Sequence, residues 1–212
     1  MRVNEQGRSM IEMLGVLAIV GVLSVGGIAG YSKAMAKFKA NKVIDQVTMI
    51  STNIRTLYAS QRTYNGLNNV LAKKTNAIPA EMFDDASNST INNGFGGSVH
   101  ITTDSHLGKA EQAYVVIFDS IPKAACVTMA TTDWGGDAGS GFAYMSVDGS
   151  ADDAKASGVT LAASLPSTQA TSGAYYAIPG AKEANLASPM NVVTATQACA
   201  SDTNNIFVWK YI

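Results

Sequence analysis

The chain has 212 residues, of which 47% are hydrophobic and 15% charged, with 15 basic and 16 acidic side chains and a net charge of -1. That length allows one domain, or one domain with an anchor. Basic residues concentrate before Lys74 and acidic ones after Glu81, so the distal half is too poor in positive charge for a nucleic-acid surface.

The opening residues, MRVNEQG, are polar and carry Arg2. From Met13 to Tyr31 there follow 19 residues without a charge, MLGVLAIVGVLSVGGIAGY. At about 1.5 Å per residue a helix of that length matches a hydrocarbon core of about 30 Å, so the run can span a membrane. An ordinary secretory signal closes its apolar core with a small-residue cleavage site. No such site closes this run, which continues into a helical pattern at Ser32 to Lys42. Cleavage after the core would cut a helix in two; the alternative is processing before it, at Gly7. Glu12 stands at the entrance of the span. A carboxylate at the membrane midplane costs about 2.5–3.5 kcal/mol, less near an interface, so it either finds a cation or snorkels to the headgroups. Gly26-x-x-x-Gly30 fits the small-residue spacing that lets helices approach closely in lipid.

The stretch QGRSMIEMLGVLAIVGVLSVGG resembles the class III leader and N-terminal segment of type IV pilins and the related pseudopilins. In that family a prepilin peptidase cuts after a glycine on the cytoplasmic side, the new amino terminus is methylated, and a glutamate stands at the fifth mature position. The resemblance implies that Gly7 closes a leader of residues 1–7, that Arg8 is the modified first mature residue, and that Glu12 is the fifth. Arg8 stands where the family usually has an apolar residue. In this reading Glu12 pairs with the amine of a neighbouring subunit and sets the axial stagger between subunits. Gly26 and Gly27, each lowering helix propensity by up to about 1 kcal/mol, are expected to let the helix unwind locally when subunits pack.

No proline precedes Pro79, so nothing stops the helix at the membrane. Ala36, Ala40, Val43, Val47, Ile50, Ile54, Leu57, Gln61 and Tyr64 alternate spacings of four and three, one face of a helix that is apolar except for Gln61. The pattern predicts a single helix from about Ser9 to Tyr64, with Gly66 as its C-cap. Lys33, Lys37, Lys39 and Lys42 follow the span, against Arg2 and Arg8 before it. A positive-inside count taken alone would reverse the topology; the leader motif instead requires a cytoplasmic N-terminus.

Leu67 to Gly97 reads as a polar connector, with a turn at Gly94-Phe95-Gly96-Gly97 and an acceptor-like Asn88-Ser89-Thr90. Ser98–Thr103, Ala113–Phe118, Phe142–Val147 and Ile206–Ile212 are predicted strands, the last with Phe207, Trp209 and Tyr211 on one face. A helix is expected from Ser120, as N-cap, to about Met129, and a short one from Ser188-Pro189 to Cys199. Asp152 to Gly173 is poor in hydrophobic bulk and reads as loop. The two cysteines, Cys126 and Cys199, would form a natural bridge in an exported domain, although spacing alone does not show that they meet.

The resemblance implies an α+β pilin fold. It has a long N-terminal helix, with a transmembrane and filament-core part (8–31) and an amphipathic part (32–66), packed on an antiparallel β-sheet domain (67–212) whose C-terminal region is bridged. The long bridged loop favours the larger, type IVb-like pilins. His100 and His106 lack partners at a zinc-like spacing, and the acidic turns at Asp133–Asp137 and Asp148–Asp153 match no EF-hand. No nucleophile elbow or phosphate-binding glycine loop is present. The sequence therefore points away from an enzyme, a cofactor or a metal. It points to a structural subunit that would be a single-pass protein of the bacterial inner membrane before assembly and part of an extracellular pilus after it. Its expected partners are copies of itself in a helical filament, a prepilin peptidase, the pilus assembly machinery and the inner membrane. The alternatives are a minor pilin or secretion pseudopilin, and a membrane-anchored periplasmic binding protein that never polymerises.

Overall fold

The structure is a computed structural model that describes residues 6–83, 90–106, 109–135, 140–148, 175–177, 186–187 and 189–212. Residues Asn88 and Ser89 of the acceptor-like triplet, the Asp152–Gly173 loop and most of the two acidic turns lie outside the described residues. The chain divides into two units, the first ending at Phe38 and the second beginning at Lys39.

Helix α1, Gln6–Leu57, runs unbroken for 52 residues, as a proline-free sequence allows. Within the second unit it buries Ala40, Val43, Val47, Ile50 and Ile54. Full burial of each valine or isoleucine contributes on the order of 1.5–3 kcal/mol. The stripe differs from expectation at both ends: Ala36 is exposed, and α1 stops at Leu57, short of Tyr64. The reason is aromatic. Tyr58, not Leu57, turns into the core, with its ring 5.2 Å from that of Tyr64, which in turn sits 4.7 Å from Tyr114. The Tyr64 amide donates to the Glu111 carbonyl at 2.7 Å, so the chain leaves the helix to bond the sheet. Gly66, with φ +76, serves the turn after this excursion and does not cap α1.

The sheet has the order β1-β2-β6-β3-β4-β5, with β1 Val99–His106, β2 Lys109–Ile121, β3 Phe142–Asp148, β4 Tyr175–Ala177, β5 Leu186–Ala187 and β6 Asn205–Tyr211. Its first four strands are antiparallel, as expected, while β4 runs parallel to β3. The C-terminal strand β6 lies between β2 and β3, with Val116 opposite Trp209 and Phe118 opposite Phe207. Phe207, Trp209 and Tyr211 join the core that contains the α1 stripe, while Ile206 and Val208 pack with Val115 and Ile117 on the other face. Both faces are therefore buried, which explains the continuous apolar runs in β2 and β6.

The expected connector is more structured than its lack of periodicity suggests. It holds α2, Asn69–Lys74, capped by Asn68, and a short 3-10 turn at Ala80–Met82. Its apolar residues Leu67, Ala72, Ile78, Met82 and Ile91 are buried, but they occur singly, so no repeat announces them. The Asn69 side chain donates to the Val99 carbonyl at 2.9 Å and accepts from the Ile101 amide at 2.7 Å, which blunts the free edge of β1. In the glycine turn, the Asn93 carboxamide accepts from Phe95 and Gly97 and donates to the Asp119 carbonyl at 2.8 Å. A Cβ on Gly97 would come within 2.3 Å of that same Asp119 oxygen.

Helix α3, Lys123–Ala130, starts after Pro122, not at Ser120. Strand β2 continues to Ile121 instead, because the Ser120 amide donates to Asn204 Oδ1 at 3.1 Å and the Ile121 carbonyl accepts from Asn205 Nδ2 at 2.8 Å. Helix α4, Val192–Ala198, is capped by Asn191, whose Oδ1 accepts from the Thr194 amide, and so begins later than Ser188-Pro189. The expected disulfide is formed: Cys126 on α3 and Cys199 after α4 are joined with their Cα atoms 5.9 Å apart, closing a separation of 73 residues. In the chain-entropy model such a loop contributes about 4 kcal/mol.

The outer face of β6 carries a buried cation. Lys210 Nζ lies 2.6 Å from Asp104 Oδ2 and donates to the Ser105 carbonyl at 2.7 Å. Beside it, partial burial and then the Lys210 charge push the His106 pKa below its ordinary 6.5, with Asp104 opposing. A base whose folded pKa is depressed binds its proton more readily when unfolded, so its contribution to stability is present at neutral pH and is lost as pH falls below about 6.5. His106→Gln is expected to flatten the stability-against-pH curve below that point, measured by urea denaturation. Gly97→Ala should lower the urea midpoint by displacing the 93–97 turn from Asp119. Cys126→Ser combined with Cys199→Ser should remove about 2–5 kcal/mol of unfolding free energy.

Candidate functional site

The residues singled out for assembly all lie on the first half of α1. Gly7 and Arg8 are within the helix, which begins at Gln6, and Glu12 follows them. From Met10 to Tyr31 every side chain is exposed, including Met13, Leu17, Val22 and Ile28. A continuous apolar surface of this size on a single chain marks a membrane or a subunit contact. This is the one described helix long and apolar enough to cross a membrane.

Its glycines are informative for what they do not touch. A Cβ added at Gly15, Gly21, Gly26, Gly27 or Gly30 would meet nothing within 4 Å. Among the described residues no contact requires them to be small, so their size is available to partners outside the chain. Ser24 Oγ donates to the Val20 carbonyl at 2.7 Å, which satisfies the hydroxyl within the helix's own backbone. The helix is unbroken through Gly26 and Gly27 in the single chain.

The second half of α1 is fixed by polar contacts that periodicity does not reveal. Gln46 is buried; its Oε1 accepts from the Gly94 amide at 3.2 Å and its Nε2 donates to Glu81 Oε1 at 3.4 Å. Lys42 Nζ lies 3.4 Å from the same Glu81 oxygen, and Lys39 Nζ stands over the Phe95 ring at 5.9 Å. Further along, Arg55 donates to the Ser140 carbonyl at 2.5 Å, and the Tyr114 hydroxyl donates to the Ser51 carbonyl at 3.1 Å. Burial raises the Tyr114 pKa far above 10, so this hydroxyl remains a donor at any physiological pH. Gln46 lies off the four-and-three spacing of the apolar stripe. Its signal, a polar residue between Val43 and Val47 on the buried side, is visible once the helix face is known.

Among the described residues no group of three or more His, Cys, Asp or Glu side chains is placed to hold a metal ion. The disulfide ties α3 to α4 on the second unit, well along the chain from Gly7, Arg8 and Glu12.

A family model described as Bundlin matches residues 33–175. Two relatives, from Escherichia coli O127:H6 (strain E2348/69 / EPEC) and Escherichia coli O111:H-, are each described as the major structural subunit of bundle-forming pilus. Each is 31% identical over 131 residues, covering 62% of this chain and 66% of the relative. The match thus spans just under two thirds of the relatives' length. Among solved structures, the type IV pilin TcpA from Vibrio cholerae El Tor biotype aligns with TM-score 0.47 and 16% identity over 82% of this chain and 99% of that one. A type IV b pilin from Salmonella typhi aligns with TM-score 0.48 and 15% identity, over 81% and 98%. An apolar N-terminal helix and a disulfide-stapled helix-and-sheet unit, with the family match over residues 33–175, define the class as pilin. Within that class the chain belongs to the Bundlin family.

Gln46→Ala leaves the half-buried Gly94 amide without its acceptor. The expected loss is about 1–3 kcal/mol of unfolding free energy, read as a lower melting temperature of the oxidised protein.

Proposed function

We propose that this protein is the structural subunit of a type IV pilus, held in the inner membrane by the first half of α1 and then polymerised through it. One observation carries the reading: the uncharged surface from Met13 to Tyr31 is wholly exposed in a chain that matches the Bundlin family over residues 33–175. The relatives' description as major structural subunits of a bundle-forming pilus favours a polymerising protein over a membrane-anchored binding protein.

The route follows from the residues. With its N-terminus in the cytoplasm, the chain is a single-pass inner-membrane protein. A prepilin peptidase removes residues 1–7 between Gly7 and Arg8, and Arg8 then carries the new, modified amine. In the bilayer the span is solvated by lipid. Once assembly machinery withdraws it, leaving each large aliphatic side chain in water would cost on the order of 1.5–3 kcal/mol, so the helices bury one another. The glycines permit the close approach this needs, and unwinding at Gly26-Gly27 adjusts the helix to its neighbours. Glu12 meets the Arg8 amine of an adjacent subunit. Between apolar helices that pair is little screened, and a one-sided deletion costs about 3–5 kcal/mol, enough to select one axial stagger. The second unit forms the outer surface of the filament, bridged against the extracellular medium.

Mass spectrometry of the mature chain should find a start at Arg8, whereas a retained Met1 would contradict processing. Glu12→Ala should leave membrane levels normal and reduce filament yield at least a hundredfold, scored by shearing and electron microscopy. Unchanged assembly would refute the register role.

A further inference from the structure

Four lysines follow the apolar span, and the structure separates them into two kinds. Lys39 stands over Phe95 and Lys42 pairs with Glu81, so both are committed to the second unit. Lys33 and Lys37 are exposed and have no ion pair or hydrogen bond among the described residues. They are spaced four apart on α1, which puts their side chains on one face about 6 Å apart along the axis. Tyr31 and Phe38, seven apart and both exposed, lie on another face of the same stretch.

The position along the helix defines the environment. Met13 to Tyr31 spans about 30 Å as helix, so Tyr31 falls at the boundary of the hydrocarbon and Lys33 and Lys37 fall in the headgroup layer beyond it. Aromatic rings settle at that boundary, and lysine stems lie along apolar surface while their ammonium groups reach the phosphates. We propose that Lys33 and Lys37 form a binding site for the headgroup of an anionic phospholipid, which fixes the depth of the subunit in the bilayer before assembly. The inference rests on the reading that the span is a membrane anchor, but holds for either topology. The positive-inside conflict is thereby reduced, because two of the four lysines are occupied by their own domain.

A basic residue near an anionic surface strengthens association about fivefold, so two should favour anionic over neutral lipid by about 25-fold at low salt. The test uses the full chain in neutral detergent with added phosphatidylglycerol or phosphatidylcholine, and counts retained lipid by native mass spectrometry. Wild type should retain phosphatidylglycerol preferentially and lose the preference at high ionic strength. Lys33→Gln with Lys37→Gln should retain both lipids equally, while Lys74→Gln, away from the span, should behave as wild type. Equal retention of the two lipids by wild type, or an unchanged preference in the double variant, would overturn the proposal. So would displacement of the lipid by millimolar inorganic phosphate, which would make free phosphate the ligand. Recovery of wild type in the soluble fraction of cells that lack the assembly machinery would overturn the anchoring reading, and the headgroup site with it.

Discussion

The buried face of α1 is the contact on which the second unit depends. Val43, Val47, Ile50 and Ile54 share one core with Tyr114, Phe118, Phe207 and Trp209 from the two inner strands of the sheet. The Tyr114 hydroxyl bonded to the Ser51 carbonyl, and Arg55 bonded to Ser140, turn this apolar contact into a defined position along the helix. An apolar stripe alone specifies which face is buried but tolerates sliding by a turn; directional bonds at Ser51 and Arg55, with Gln46 to Gly94 nearer the other end, do not. The disulfide and the Asn204-Asn205 pair then hold the C-terminal segment that delivers β6 to the middle of the sheet.

The same helix presents two surfaces made for different solvents. Beyond Lys39 it alternates apolar and polar residues because one side faces protein and the other water. From Met13 to Tyr31 it is apolar all round, which suits lipid or the interior of a bundle and no aqueous state. The absence of proline lets one set of backbone hydrogen bonds run along α1.

Particular residues show why some features were legible and others were not. The α1 stripe and the strands β2, β3 and β6 announce themselves because helix and strand periodicities survive even with modest bulk. Ser120 misleads: in sequence it is an ideal N-cap before Pro122, yet Asn204 claims its amide and keeps it in β2 with φ 57. Leu57 misleads in the same way, since the choice to end the helix was made by Tyr58, Tyr64 and Tyr114 finding one another. The parallel pairing of β4 with β3 had no local signature at all, because strand direction is a property of the connection and not of the strand.

What the amino-acid sequence determined by itself is whatever depends on neighbours along the chain: the apolar span and its length, the Gly7, Arg8 and Glu12 spacing, the amphipathic stripe, and the alternation of the strands. These are written in periods of about 3.6 and 2 residues, or in fixed offsets within one turn. Only the tertiary structure decided which residues distant in sequence share a partner. It brought Cys126 to Cys199, placed β6 between β2 and β3, buried Lys210 beside Asp104, and gave Lys42 to Glu81 while leaving Lys33 and Lys37 in the open. Each of those outcomes is set by how the core closes around bulky side chains, which no window along the chain contains.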